Sequence, residues 1–211
     1  MLEFIDPRVS RAKRIFDIVT ASIGLLLTLP LFPLIACAIK LDSPGPVFFS
    51  QLRVGRIHDD HIALFYMVKF RSMRADAEKS TGAVWAQRND PRTTMLGAFL
   101  RKTRLDELPQ FINVLRGEMS IIGPRPERPG ICNRLEEAIP YYVERTYGIT
   151  PGITGLAQVN QGYDETLDDV RSKLRYDLAY SLSLRELKSW LYMDVGIVFR
   201  TLWVMLAGRG Q

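Results

Sequence analysis

The chain has 211 residues, 47% of them hydrophobic and 24% charged, enough for one packed domain and too apolar for a disordered one. Lys and Arg outnumber Asp and Glu by 28 to 23, a modest excess that favours anionic partners such as phosphates, nucleic acid or acidic lipid, and equally suits a generically basic surface. The two cysteines, Cys37 and Cys132, form no C-x-x-C pair, which speaks against a disulfide framework or a zinc site.

From Ile15 to Ile39 the chain is almost wholly apolar, with Asp17 as its only charge. Such a run is a membrane-segment candidate and is too long for a signal peptide. It reads as a straight span, a buried core helix, or a helix that enters the membrane and turns back. Pro30 and Pro33 favour the last, because proline removes a backbone donor and bends a helix. The limb from Ile15 to Leu29 is ~22 Å long at ~1.5 Å per residue, short of a ~30 Å hydrocarbon core. Basic residues lie on both sides: Arg8, Arg11, Lys13 and Arg14 before the run, Lys40, Arg53 and Arg56 after it. A spanning helix concentrates them on one side.

Ser43-Pro44-Gly45-Pro46 reads as a turn. Val47 to Phe49 and Ile62 to Phe70 read as short strands around a polar tip, where His58, Asp59, Asp60 and His61 suit a hairpin better than a metal site. Thr94 to Lys102 predicts a short helix. The spacing of Leu105, Leu108, Ile112 and Leu115 predicts an amphipathic helix, with Pro109 in its first turn if Asp106 caps it. Glycine and proline mark ordered loops at 123–126 and 151–155. Asp168 to Tyr180 predicts a helix, as does Leu187 to Ala207, stopped by Gly208. Trp190, Tyr192 and Trp203 on that last helix suit a protein core or a membrane interface alike.

Three clusters can carry chemistry. Asp106 and Glu107 follow Arg101, Lys102 and Arg104. Adjacent carboxylates on a helix face different ways, so they serve different purposes. One could bind Mg²⁺ or attack phosphorus, although a simple helix cap explains Asp106 as well. In Gly123-Pro124-Arg125-Pro126-Glu127-Arg128, prolines stiffen the backbone that presents Arg125, a side chain able to fork onto phosphate or to sit solvated on a turn. Lys69 and Arg71 alternate along a strand and share a face, which would attract a diphosphate or form ordinary ion pairs. No Gly-rich nucleotide fingerprint and no nucleophile elbow is present.

Taken together, these blocks resemble the monotopic phosphoglycosyl transferases, the bacterial sugar transferases that start glycan assembly on polyprenyl phosphate. The resemblance rests on KRIFDIV from Lys13, DSPGPVFFSQLRVGR from Asp42, VKFRSM from Val68, the long block from Asn89 to Glu127 that holds LDELPQ and GPRPE, and PGITGLAQVNQ from Pro151, and it runs on to Gly210. It implies an α/β, mostly α, monotopic membrane protein: one catalytic domain over residues 1–211, a re-entrant helix-break-helix over 12–41, and a cytoplasmic module with short strands and interfacial helices. It implies that Asp106 attacks the β-phosphate of a UDP-sugar and releases UMP, leaving a sugar phosphate on the carboxylate for polyprenyl (undecaprenyl) phosphate to collect. By the same resemblance Asp106 shares Mg²⁺ with the diphosphate, and Glu107 supports the metal or deprotonates the acceptor. Arg125 binds nucleotide or phosphate, while Lys69, Arg71 and Arg101 contact phosphate. The implied setting is the cytoplasmic face of the bacterial inner membrane, in contact with its lipid, with a homodimer allowed and nucleic acid not a partner.

Two departures stand out. Leu29-Pro30 replaces the family's frequent Ser-Pro at the helix break, so a hydroxyl that would satisfy a freed carbonyl is missing, with Thr28 one residue away. Thr150 precedes Pro-Gly-Ile-Thr-Gly where arginine is frequent. The rival readings are a non-catalytic membrane scaffold, a nucleic-acid-binding protein, and a conventional glycosyltransferase that releases UDP.

Overall fold

The computed structural model describes residues 5–77, 90–162 and 166–206. It is a mostly helical α/β fold with short strands. Helix α1 (Pro7–Thr28) starts behind Asp6, whose carboxylate accepts from the Arg8 N–H at 2.7 Å. Helix α2 (Leu31–Asp42) follows at a bend of 62°. Of the two expected break points, only Pro30 breaks the helix. Pro30 cannot donate to the Leu26 carbonyl, whereas Pro33 lies in the first turn of α2, where no donor is needed. The Thr28 hydroxyl donates instead to the Gly24 carbonyl, at 2.7 Å. No single helix among the described residues is long and apolar enough to cross a membrane, while the bent pair together passes by length and composition.

One stripe of α1, Val9, Lys13, Asp17 and Ala21, is buried at helical spacing. Lys13 donates to the Ile122 carbonyl at 2.6 Å. Asp17 accepts from the Ser120 hydroxyl at 2.9 Å and the Ile121 N–H at 2.8 Å. The lone acid of the apolar run is thus turned into the protein, while Ile15, Val19, Ile23, Leu26 and Leu27 are exposed on α1.

Strands β1 (Phe48–Ile57) and β2 (Ile62–Phe70) form an antiparallel hairpin that pairs Phe48 with Phe70 and Phe49 with Lys69. β1 runs well past the expected Val47–Phe49, because its polar continuation still pairs along β2. The tip is polar as expected, with His58 and His61 stacked at 4.5 Å. Helix α3 (Met95–Lys102) is capped by Thr94, whose hydroxyl accepts from the Gly97 N–H at 3.0 Å.

The single amphipathic helix expected over Leu105 to Leu115 is in fact two pieces: a 3₁₀ turn, Leu105–Glu107, and helix α4 (Gln110–Arg116). Pro109 sits at the N-cap of α4 with no side-chain cap, so Asp106 is not a helix cap. At the other end of α4, Arg14 donates to the Val114 and Leu115 carbonyls at 2.6 and 2.8 Å.

Strand β3 (Ser120–Ile122) pairs in parallel with β4 (Gly152–Thr154), so the second expected loop contains a short strand. Helices α5 (Pro129–Ala138), α6 (Leu156–Asn160), α7 (Leu167–Ser183) and α8 (Leu187–Leu206) complete the order. The expected stop of α8 at Gly208 lies outside the described residues. The core reading of α8 holds for one side, and its other side is exposed. Trp190 is buried and donates to Asp194 at 2.7 Å, whereas Tyr192 and Trp203 are 85% and 68% exposed. Cys37 and Cys132 are free thiols.

One core cluster joins Ile35 and Ile39 of α2 to Phe70 and Leu100, with Leu105 and Leu108 packed against it. The turn that carries Asp106 and Glu107 therefore rests on the same core as the bent helix pair. Gly97 lets α3 pack closely against the segment after β2, since a Cβ there would overlap the Ser72 carbonyl oxygen. Gly97→Ala is expected to destabilise the protein by about 3 kcal/mol, as for an overpacked core. Gly130→Ala, where a Cβ meets nothing within 4 Å, should leave thermal unfolding unchanged or slightly raised. Unfolding midpoints of the two variants check this.

Candidate active site

Arg104 takes a left-handed backbone, φ 59°, and this reverses the chain between α3 and the 3₁₀ turn. Asp106 and Glu107 are each 6% exposed on that turn. Their surroundings differ sharply. The Glu107 carboxylate meets Lys69 at 2.6 Å, Arg125 at 3.3 Å and Arg104 at 3.8 Å. Burial alone would raise its pKa, but Lys69, then Arg125 and Arg104, outweigh it and hold Glu107 well below the usual carboxylate range. Asp106 goes the other way. Burial pushes it up to about 6 despite Lys69, and the neighbouring Glu107 charge adds to the rise. Its Oδ1 is buried with no hydrogen-bond partner among the described residues. Asp106 is thus desolvated with one oxygen left without a partner, which is the condition of a carboxylate nucleophile or ligand.

The loop that presents Arg125 is fixed by more than its prolines. Successive carbonyls of Pro124, Arg125, Pro126 and Glu127 accept from the Gly152 N–H (2.9 Å), Arg145 (3.0 Å), Arg53 (3.0 Å) and the Val54 N–H (2.8 Å). Arg145 is itself buried, paired with Asp177 at 2.7 Å and lying over the Tyr142 ring. Burial, with Arg125 and Arg128 nearby, pushes Arg53 down to about 10 despite Glu127. This wall is crowded with positive charge and suits an anion.

These groups line one cavity of about 390 Å³, within the usual size range of ligand sites. The sequence-derived residues divide as follows. Asp106, Glu107, Lys69 and Arg125 converge. Arg101 also lines the cavity, donates to the Thr93 hydroxyl at 3.0 Å and lies close enough to Asp106 to lower its pKa. Arg71, just beyond the end of β2, also lines the cavity, and its guanidinium is held to the end of α2. It donates to the carbonyls of Pro44 (2.9 Å), Ser43 (2.6 Å) and Ile39 (3.3 Å). The strand alternation that placed Lys69 and Arg71 on one face gives no warning of this second partner set. Arg128, from the same cluster as Arg125, lines the cavity, and so do Arg53, Arg145 and Asp177, which the sequence did not single out for it. Arg53 sits in a stretch that does not read as a strand, and Asp177 is one of many charges on an ordinary helix.

The residues fit Mg²⁺ in one way only. Among the described residues no group of three or more His, Cys, Asp or Glu could hold a metal. Mg²⁺ commonly binds through one or two carboxylates plus substrate phosphates, and the unpartnered Asp106 Oδ1 supplies such a ligand.

Comparison with known proteins agrees with this chemistry. The family model for bacterial sugar transferases matches residues 8–208. A UDP-N-acetylgalactosamine-undecaprenyl-phosphate N-acetylgalactosaminephosphotransferase of Aeromonas hydrophila is 46% identical over 205 residues, covering 97% of this chain and 46% of the relative. A UDP-glucose:undecaprenyl-phosphate glucose-1-phosphate transferase of Escherichia coli (strain K12) is 45% identical over 191 residues, covering 90% of this chain and 39% of the relative. The exopolysaccharide production protein PSS of Rhizobium leguminosarum bv. phaseoli is 40% identical over 194 residues, 90% of this chain and 92% of the relative. The chain spans less than half the length of the first two. With nearly its whole length matched, and a buried Asp-Glu pair facing a basic cavity, the chain belongs to the bacterial sugar transferase family.

Proposed function

We propose that this protein transfers a sugar 1-phosphate from a UDP-sugar to undecaprenyl phosphate, or a related polyprenyl phosphate, with release of UMP. The observation that carries the reading is the contrast within the dyad. Asp106 is buried with an unpartnered oxygen, and Glu107 beside it is held ionised by Lys69, Arg104 and Arg125. The activities for which the relatives are named supply the donor and acceptor classes.

In the first displacement an Asp106 oxygen forms a bond to the β-phosphorus of the donor. The Pα–O–Pβ bridge breaks on the β side, and UMP leaves with the bridging oxygen. In the second, a phosphate oxygen of the polyprenyl carrier attacks the same phosphorus and expels Asp106, giving a polyprenyl diphosphate sugar. Lys69, Arg104 and Arg125 offset the repulsion between carboxylate and diphosphate. Glu107, so firmly ionised, is a weak base, and its part is to fix those cations where the β-phosphate arrives. Mg²⁺ held between Asp106 and the diphosphate would neutralise further phosphate charge. Arg71 holds the end of α2 to β2, and Arg101 adds to the field at Asp106. The bent α1–α2 pair enters the membrane and returns, which puts the cavity at the cytoplasmic face of the inner membrane, level with the lipid phosphate.

Purified protein is offered Mg²⁺, undecaprenyl phosphate and a panel of UDP-sugars, and the released nucleotide is identified. UMP is expected, and the active donor names the sugar. Asp106→Asn should lower the rate by at least roughly 10³-fold, as loss of a nucleophile does. Release of UDP would contradict the reading and favour conventional glycosyl transfer. Lys69→Met leaves the buried Glu107 without its closest partner, and should cost about 3 kcal/mol in denaturant unfolding, in the range for a broken buried ion pair.

A further inference from the structure

The proposed donor needs a place for its base, and the cavity contains a group with the chemistry to read one. Gln158, on α6, lines the same cavity as Asp106 and Arg125. Its amide orientation is fixed: the nitrogen donates to the Ile153 carbonyl at 2.9 Å, so the oxygen points the other way. That Oε1 is buried and has no hydrogen-bond partner among the described residues. A buried acceptor without a partner, on a residue that lines a cavity, calls for a donor.

Its location suits the far end of the donor. The Gly123 N–H donates to the Thr154 carbonyl at 2.8 Å, and the Gly152 N–H to the Pro124 carbonyl at 2.9 Å. The segment leading into α6 is thereby joined to the loop that presents Arg125, and Arg125 in turn reaches Glu107. Gly155 keeps this junction close, because a Cβ there would overlap the Gly123 carbonyl oxygen and stand 3.2 Å from Gln158 Oε1. A diphosphate bound at Asp106 and Arg125 would have its nucleoside directed along this path.

We infer that Gln158 is a specificity-determining residue that reads the uracil base of the donor, its Oε1 accepting from the uracil N3–H. The inference rests on the sugar-nucleotide reading above and deepens it. Uracil carries a donor at N3. Cytosine at N3 and adenine at N1 carry a lone pair instead, which would face Gln158 Oε1 unfavourably.

The test compares UMP with its N3-methylated analogue, which lacks that donor, by titration calorimetry on the full chain in detergent. The native protein should bind UMP at least about tenfold more tightly than the analogue, the loss expected for one buried hydrogen bond. Gln158→Leu and Gln158→Met should bind both nucleotides equally, with the affinity of the native protein for the analogue unchanged. That unchanged affinity is a result a merely structural role would not give. A variant that keeps the native preference for UMP would overturn the inference, as would a native protein with no preference. Loss of both nucleotides together in both variants would also overturn it, assigning Gln158 to the fold. A native protein that binds neither nucleotide would instead overturn the donor reading itself.

Discussion

A glutamate carboxylate buried to 6% exposure and ringed by cations is the constraint on which the rest of the site depends. A buried charge without partners is prohibitively costly, so Glu107 requires cations and dictates where they stand. β2 delivers Lys69, the left-handed Arg104 brings its guanidinium back, and the loop after β3 delivers Arg125. The same cations reach Asp106 only in part. Its environment pushes it up to about 6 while Glu107 is pushed down. Two adjacent carboxylates therefore acquire different chemistry from their surroundings alone.

The site is also tied to the bent helix pair. Ile35 and Ile39 of α2 share a core with Phe70 and Leu100, and Leu105 and Leu108 on either side of the dyad pack against it. Arg71 adds three backbone carbonyls at the end of α2. α1 is held to β3 by Lys13 and Asp17, and β3 leads directly into the Arg125 loop. Each limb of the pair thus connects to an element that lines the cavity. For the proposed transfer, in which a soluble donor and a lipid phosphate would meet at one phosphorus, this fixes the reacting groups relative to the segment proposed to meet the membrane.

Local signals carried much of this into the sequence. The long apolar run with Pro30, the short helix up to Lys102, the polar hairpin tip and the helix over Asp168 to Tyr180 all follow from proline chemistry, turn chemistry and periodicity, which act over a few residues. The dyad and the Arg125 loop were visible as clusters of charge, proline and glycine. What stayed hidden depends on contacts distant in sequence. The left-handed Arg104 turns the chain just ahead of the dyad, and no local spacing announces it; the apparently continuous amphipathic helix over Leu105 to Leu115 breaks at Leu108-Pro109. β1 is lengthened by its partner strand. Arg71 finds α2 from 28 residues away, and Arg145 finds Asp177 from 32. Arg53 and Gln158 acquire meaning only when the loops they support come together around one cavity.

The most direct test of the account is the intact mass of the protein after incubation with its UDP-sugar donor and Mg²⁺ in the absence of polyprenyl phosphate. The account predicts a mass increase of one sugar phosphate, located by peptide mapping to Asp106 and discharged when polyprenyl phosphate is added. An unmodified protein that still passes sugar phosphate to the acceptor, or an adduct on any other residue, would contradict it.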